Sequence, residues 1–262
     1  MGTGVTCPTT RLHPAIVAQA AATAACLMPG RFFLGVGSGE ALNEHILGDR
    51  WPPADIRLSM LEEAVGVIRQ LWRGGSQNHH GRHYDVEDAT IFSLPDERPG
   101  IVVAASGPAA VAVAGRVGDG LWTTSPDAEL VAAFHDGGGA GKPVYGQVTL
   151  CWAPDTDQAV KTAMEVWPNA GLAGQLSQDL PTPAHFEQAA QLVTEEALRA
   201  KVVCGPHVDA HVAMVQRYAA AGITHIYLHQ VGPDQAGFLR FWDQELRPAL
   251  AEAGLAPRPT PG

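Results

Sequence analysis

The sequence predicts an α/β protein built on a parallel sheet, either a barrel or a doubly wound sheet. Short runs rich in β-branched and aromatic residues alternate with longer Ala- and Leu-rich stretches of helical period. The runs at residues 32–37 and 101–105 are apolar throughout, as strands covered by helices on both faces require. A chain of 262 residues, 46% of them hydrophobic, is long and apolar enough for one such domain.

The predicted elements follow one another as strand and then helix, with Gly or Pro at the boundaries. Two polar stretches interrupt the alternation: one is predicted as an exposed hairpin-like excursion at 77–96, the other as an inserted loop at 169–188. The Pro-rich tail at 256–262 is predicted to fray. The six predicted strands are 2–7, 32–37, 101–105, 120–124, 144–152 and 225–230. The predicted helices are 14–28, 58–72, 108–117, 128–135, 156–167, 195–200, 209–221 and 234–250.

Charge and composition exclude several classes of function. The formal charge of -10 argues against a protein that coats a phosphate backbone, so no nucleic-acid partner is expected. No apolar run approaches the roughly 18 to 20 residues that span a bilayer, which predicts no membrane partner and a cytoplasmic protein. The four scattered cysteines form no CxxC pair and are expected to remain reduced thiols.

The most informative run extends from Arg31 to Glu44 and reads RFFLGVGSGEALNE. Its first half is a buried strand, and its second half is a glycine-rich turn that carries an acid and an amide. Glycines at the end of a strand let the backbone approach a ligand closely, although a tight turn alone explains three alternating glycines equally well. A second turn, ASGP, ends the strand at 101–105, and Pro108 suits the first position of the helix that follows. Such a helix start can bind an anion with its free amides.

Together with the GTGVTCPT run that begins at Gly2 and the GPDQ run near the end, these motifs resemble the luciferase-like flavin and deazaflavin oxidoreductases. The resemblance is greatest to the branch that uses coenzyme F420, the one related to F420-dependent glucose-6-phosphate dehydrogenase. It covers nearly the whole chain in order. It implies a single TIM-type (α/β)8 barrel domain over residues 1–262, a homodimer, a small-molecule substrate, and a deazaflavin bound at the carboxyl ends of the strands.

The resemblance also assigns site residues. The Gly4-Val5 bond matches a bulge, often a non-proline cis peptide, that supports the deazaflavin ring, and Ser106 and Gly107 match the phosphate-binding pair. Glu40 matches the acid that exchanges a proton as the ring is reduced. The implied cofactor-binding positions are Gly4, Val5, Cys7, Ser38, Gly39, Asn43, Ser106 and Gly107.

The chemistry of Glu40 has two opposing interpretations. An apolar, glycine-lined pocket would desolvate the carboxylate and raise its pKa, which suits proton delivery near neutrality. Glu40 also begins the next helix, whose dipole would stabilise the charged form and lower the pKa.

The histidines and Arg199 supply the remaining candidates. His79, His80 and His83 lie in the polar excursion without Cys or an acidic partner at ligand spacing, so no metal site is predicted. His229 alternates with Tyr227 on the last strand and is a candidate substrate contact. Arg199 is the one cation near a position where the sugar-phosphate dehydrogenases bind the substrate phosphate.

Two departures from the family affect the predicted substrate. An acid, Asp127, stands where a phosphate-binding Lys is expected, and Ala236-Gly237 replaces an Arg-bearing pair. The substrate is therefore predicted to be an alcohol, ketone or activated alkene rather than a sugar phosphate. Two alternatives remain: an FMN-dependent luciferase-like monooxygenase and a non-catalytic barrel that only binds a partner.

A further expectation concerns completeness. The first recognisable strand, at 2–7, matches the family's third strand, so the chain is predicted to lack the first two βα units, about 60 residues. The missing second strand is where relatives carry an Asp and His pair beside the deazaflavin. The sequence therefore predicts either a fragment of a longer product or an inactive remnant that oligomerises through its open strand edges.

Overall fold

A computed structural model of the chain describes residues 1–255, and the tail predicted to fray at 256–262 lies outside the described residues. Its contacts divide into two compact units, one formed by residues 1–123 and 129–145 and the other by 124–128 and the residues from 146 onward. The single domain over 1–262 therefore stays a prediction. No helix within the described part of the chain is long and apolar enough to cross a bilayer.

The first unit contains a parallel sheet and a separate hairpin. Strand β1 pairs with β4 and β4 pairs with β5, all in parallel, which places Val36 opposite Val103 and Ala104 opposite Trp122. The strands are β1 (Phe33–Val36), β2 (Gln77–His80), β3 (Asp85–Ala89), β4 (Gly100–Ala104), β5 (Gly120–Thr123) and the start of β6 (Val144–Cys151).

The N-terminal segment at residues 2–7, predicted as a strand, forms only two isolated parallel bridges to β1, at Gly2 and Thr6. Between these bridges, the side chain of Thr3 forms hydrogen bonds to the backbone of Gly35 in β1. Its Oγ1 accepts a hydrogen bond from the Gly35 amide (3.0 Å) and donates one to the Gly35 carbonyl (2.8 Å). A hydroxyl thus replaces part of the backbone ladder, and the prediction of a regular strand here is wrong.

Helices cover the sheet of the first unit as the apolar strands require. A proline occupies the first turn of the helices that begin at Pro14 and Pro108, and the second of these has the predicted bounds. The Trp72 indole N–H donates to the Ala18 carbonyl at 2.9 Å and joins the first helix to the third. The helices are α1 (Pro14–Leu27), α2 (Ala41–Glu44), α3 (Ala54–Leu71), α4 (Pro108–Val117) and α5 (Ala128–Phe134), with a 3-10 turn at His45–Leu47 and a π turn at His135–Gly139.

The polar excursion is the antiparallel hairpin of β2 and β3, as predicted. Its turn is attached to α3 through Glu63, whose carboxylate accepts hydrogen bonds from the backbone N–H groups of Arg82, His83 and Tyr84. Burial alone would raise the pKa of Glu63, but these bonds and one from His79 outweigh it and lower the pKa.

The second unit repeats the strand and helix alternation around β6. β6 pairs in parallel with a two-residue strand, with Leu150 opposite Val203, and also pairs with the last strand. The side chains of Leu150, Val215, Phe238 and Phe241 form its buried core with their neighbours. The strands are β7 (Val203–Cys204) and β8 (His225–Gln230), and the helices are α6 (Thr156–Val166), α7 (Leu176–Asp179), α8 (Pro183–Ala190), α9 (Glu195–Arg199), α10 (Val208–Ala220), α11 (Gln235–Phe241) and α12 (Arg247–Glu252), with a 3-10 turn at Pro168–Gly171 and a π turn at Trp242–Leu246.

Two sequence predictions for this unit need correction. The stretch 169–188 is not a plain loop, because Thr182 caps α8 by accepting from the His185 amide and Pro183 starts that helix. The helix predicted at 234–250 is interrupted at Trp242–Leu246 by a π turn. The two-residue strand β7 was not predicted, since it is too short to show a period.

Candidate functional site

Three loops emerge at the same end of the sheet in the first unit. Thr6 bridges to Val36, and Val36 pairs with Val103, in each case in parallel. The residues that follow these three positions must therefore emerge together at the carboxyl ends of the strands, where ligands bind in parallel α/β folds. The loops begin at Cys7, Gly37 and Ala105.

The Gly4-Val5 peptide bond, just before the first loop, is cis. Gly4 lies against the indole of Trp122, because a Cβ added to Gly4 would stand 3.2 Å from that ring. A Cβ on Gly37 would stand 2.9 Å from a methyl of Val5. Two glycines thus leave room for this segment, and the Val5 side chain remains 40% exposed as an apolar surface.

An aromatic layer lies beneath the N-terminal segment. The rings of Phe33 and Tyr145 stack with centroids 5.2 Å apart, and those of Trp122 and Tyr145 stack at 6.2 Å. A Cβ on Gly2 would collide with the Phe33 ring. Sequence reasoning did not find this layer, because its members come from three separate strands and no local pattern connects them.

The glycine turn closes onto Cys7. Gly39 has a φ of 88°, in the left-handed region, and a Cβ there would stand 2.7 Å from the Cys7 sulfur. The Cys7 Sγ lies 2.9 Å from the Thr9 hydroxyl. Burial, together with the nearby charge of Glu44, raises the pKa of the Cys7 thiol, so the group is a neutral thiol near pH 7.

Glu40 occupies the N-cap position of α2 but makes no capping bond. Its Oε2 instead accepts a hydrogen bond of 3.2 Å from the Asn43 side-chain amide. Glu40 as a whole residue is exposed. Partial desolvation nevertheless raises the pKa of the Glu40 carboxyl, so of the two opposing sequence arguments the desolvation argument decides the direction.

Glu44 is a part of the site that sequence reasoning did not select. It is 1% exposed, and its Oε2 accepts a hydrogen bond of 2.8 Å from the backbone N–H of Arg11. The Arg11 Nε lies 3.7 Å from the other carboxylate oxygen. Glu44 follows Glu40 by four residues, and this helical spacing was the one signal in the sequence that could have pointed to it.

The third loop ends at the N-terminus of α4. Ser106 is exposed, and Gly107 is the N-cap residue in an extended conformation, with φ -150° and ψ 167° and no side-chain capping bond. A Cβ on Gly107 would meet nothing within 4 Å. The space beside the Gly107 N-cap is thus open, and a helix start without a side-chain cap can bind phosphate through its free amides. Gly107 and the exposed Val5 surface fit a cofactor that has both a planar ring and a phosphate.

The two candidate substrate residues lie in the second unit. The Gln147 side-chain amide donates to His229 Nδ1 at 3.3 Å, and the His229 ring meets Trp167 edge-on at 5.0 Å. Burial lowers the pKa of His229, which makes it a neutral imidazole near pH 7. Arg199 is exposed and pairs with Glu195 at 2.7 Å.

The hairpin histidines each contact a different side chain. His79 lies 3.2 Å from a Glu63 oxygen, His80 lies 3.3 Å from an Asp85 oxygen, and His83 bonds to the Ser59 hydroxyl at 3.0 Å. No group of three or more metal-binding side chains occurs in residues 1–255.

Fold and site together define an α/β protein in which an exposed Val5 and an uncapped helix start at Gly107 lie near the carboxyl ends of parallel strands. The chain belongs to the luciferase-like monooxygenase family, whose model matches residues 1–225. It is 36% identical over 262 residues to an F420-dependent glucose-6-phosphate dehydrogenase of Microbacterium testaceum, covering 95% of this chain and 78% of that protein. A dehydrogenase of the same name from Mycobacterium tuberculosis is 35% identical, with 97% and 80% covered.

Solved structures agree on the fold. An F420-dependent secondary alcohol dehydrogenase in complex with an F420-acetone adduct matches with a TM-score of 0.87 and 27% identity, covering 95% of this chain and 78% of that one. The coenzyme F420-dependent tetrahydromethanopterin reductase of Methanopyrus kandleri matches with a TM-score of 0.76 and 21% identity, covering 95% and 82%. The predicted luciferase-like fold and the predicted F420-dependent oxidoreductase family are thereby confirmed.

Proposed function

We propose that this chain binds coenzyme F420 where the three loops emerge at the carboxyl ends of the strands in its first unit. It would transfer a hydride between this cofactor and an alcohol, ketone or alkene. The observation that carries the proposal is the convergence of the Cys7, Gly37 and Ala105 loops at the carboxyl ends of neighbouring parallel strands. The names of the relatives and of the secondary alcohol dehydrogenase described above support F420 as the cofactor.

The N-terminal segment and the start of α4 would each contribute to cofactor binding. The exposed Val5 surface, fixed by Trp122 beneath Gly4, would support the planar ring system. Ser106 and Gly107, at the start of α4, would bind the phosphate through backbone amides. Local dipoles of this kind let a protein with a formal charge of -10 hold an anionic cofactor. Once bound, the deazaflavin supplies the acceptor or donor for a two-electron hydride transfer.

Glu40 would manage the proton that accompanies the hydride. Its raised pKa keeps a larger fraction of the carboxyl protonated near neutral pH than an ordinary Glu would have. The Asn43 amide donates to Oε2 and so leaves Oε1 as the oxygen that can hold and release the proton. The glycine turn keeps this carboxyl beside the loops that would hold the cofactor.

The substrate class follows from the scarcity of free cations at the candidate phosphate positions. Arg199 is paired with Glu195, and position 127 carries an aspartate. A doubly charged sugar phosphate needs several cationic or amide donors, so an uncharged substrate suits these residues better. The name of the secondary alcohol dehydrogenase that matches in structure supports this class.

The test has two stages. The purified chain is titrated with F420 and, separately, with FMN, and cofactor fluorescence is followed; preferential binding of FMN would replace the proposal with a monooxygenase. The F420-loaded protein is then given secondary alcohols and glucose 6-phosphate in parallel. Saturable turnover of glucose 6-phosphate alone would overturn the substrate class, and binding of neither cofactor would leave a non-catalytic barrel.

A further inference from the structure

We propose that Glu44 is a positioning residue that fixes the Cys7 loop against the glycine turn carrying Glu40, by accepting the hydrogen bond from the Arg11 amide. Its catalytic consequence rests on the proposed function, but its effect on the loop does not.

The first line of support is the burial of the carboxylate. Glu44 is 1% exposed, and its Oε1 has no hydrogen-bond partner, while Oε2 accepts from the Arg11 N–H at 2.8 Å. Arg11 is 41% exposed, and its Nε is 3.7 Å away, too far for a hydrogen bond. Burial of a carboxylate with so few partners is costly, and an apolar side chain of similar volume would fill the space more cheaply. The geometry of the acceptor therefore explains the carboxylate better than packing does.

The second line of support is what else touches Glu44. A Cβ on Gly39 would stand 3.0 Å from the Glu44 Cγ and 2.7 Å from the Cys7 sulfur. The glycine turn thus lies close to both Glu44 and the Cys7 side chain at Gly39. Since Glu44 also bonds to Arg11, which lies in the continuation of that loop, one side chain connects both loops.

The third line of support is the shortness of α2. The helix has a single turn, and the Glu44 amide donates to the Glu40 carbonyl at 3.1 Å. Glu40 at its start and Glu44 at its end therefore move together. A shift of the Glu44 anchor is a shift of the Glu40 carboxyl relative to the Cys7 loop.

The experiment compares variants that separate acceptor, charge and volume. Glu44→Gln keeps an oxygen acceptor at the same reach, Glu44→Asp keeps the charge but is one methylene too short, and Glu44→Met keeps the volume only. Glu62→Gln, at an exposed ion pair with Arg116 on another helix, is the matched control.

The readout is the rate at which N-ethylmaleimide alkylates Cys7 in the cofactor-free protein, measured by peptide mass spectrometry. The exposed Cys26 on α1 serves as the internal reference. We expect a rise of about tenfold for Glu44→Met and several-fold for Glu44→Asp, since the loop loses its anchor, and less than threefold for Glu44→Gln. F420 affinity should fall in the same order. Circular dichroism identifies variants that fail to fold, and if Glu44→Met is among them, Glu44→Asp decides.

A wild-type alkylation ratio in both Glu44→Met and Glu44→Asp would overturn the inference, because packing alone would then explain the residue. An equal rise in Glu44→Gln would also overturn it, because the charge rather than the acceptor would hold the loop. If the wild-type protein fails to bind F420, the proposed function falls, while the Cys7 rates still decide the role of Glu44.

Discussion

The side-chain amide of Asn43 donates a hydrogen bond of 3.2 Å to the carboxylate of Glu40, three residues before it in the chain. This bond orients the one acidic side chain that the family resemblance connects with proton transfer. It also explains how a carboxyl at an exposed helix start can be held in one orientation without capping the helix.

Glu40→Gln should slow turnover by roughly 10²- to 10⁴-fold, because the amide keeps the shape of the side chain but cannot deliver a proton. F420 affinity should stay within a few-fold of the wild-type value. Stopped-flow absorbance at the deazaflavin band measures both quantities. Glu87→Gln, on the exposed hairpin, is the control, and an unchanged rate in Glu40→Gln would reduce Glu40 to a helix-start residue.

Gly107→Val should weaken F420 binding by about 100-fold or more, because the branched side chain would fill the open space before the first amides of α4. The extended φ of Gly107 accepts any residue, so the fold should lose only about 1 kcal/mol from the poorer N-cap. Fluorescence titration and thermal melts measure the two effects. Gly66→Ala in α3, where an added Cβ also meets nothing, should bind normally. Equal affinities in both variants would make the α4 start purely structural.

Gly35→Ala should destabilise the N-terminal segment. The added Cβ would overlap the Thr3 carbonyl oxygen, so either the segment or β1 must shift, at a cost of about 1–3 kcal/mol. Hydrogen exchange should show lost protection at the Thr6 amide, which donates to the Gly35 carbonyl at 2.8 Å. Retained protection at Thr6 would mean that this contact does not hold the segment.

Stability should fall as the pH drops below about 6.5, in part because of His211. The ring is 2% exposed, its Nε2 donates to the Gly205 carbonyl at 2.9 Å, and burial lowers its pKa in the folded state. The unfolded chain therefore binds the proton more readily, so stability is full above the unfolded pKa and is lost below it. Urea midpoints between pH 5 and pH 8 measure the slope. His211→Gln should flatten this slope of stability against pH, and the exposed His80→Gln should not. Equal slopes in wild type and His211→Gln would exclude His211 as a source of the pH dependence.

Local sequence patterns were enough to predict most of the helices and the loops of the candidate site. Pro108 fixed the start of α4, and the glycine turn ended β1 where its sequence changes from apolar to small and polar. Local patterns could not predict hydrogen bonds between residues that are far apart in the sequence. The side chain of Thr3 replaces part of the backbone ladder to Gly35, 32 residues away, and a pattern within six residues cannot predict such a contact.

The sequence by itself determined the strand and helix alternation, the glycine turn at Gly39, the helix start at Gly107 and the family, because each depends on residues within one turn or on motif order. Only the tertiary structure decided that Glu44 is buried against Arg11, 33 residues earlier, that Trp122 lies beneath Gly4, and that His211 is a buried neutral group. It also decided the direction of the Glu40 pKa shift. The local sequence allows both a helix dipole that lowers the pKa of Glu40 and a desolvation that raises it. How much solvent reaches the carboxyl depends on how segments distant in the sequence fold around it.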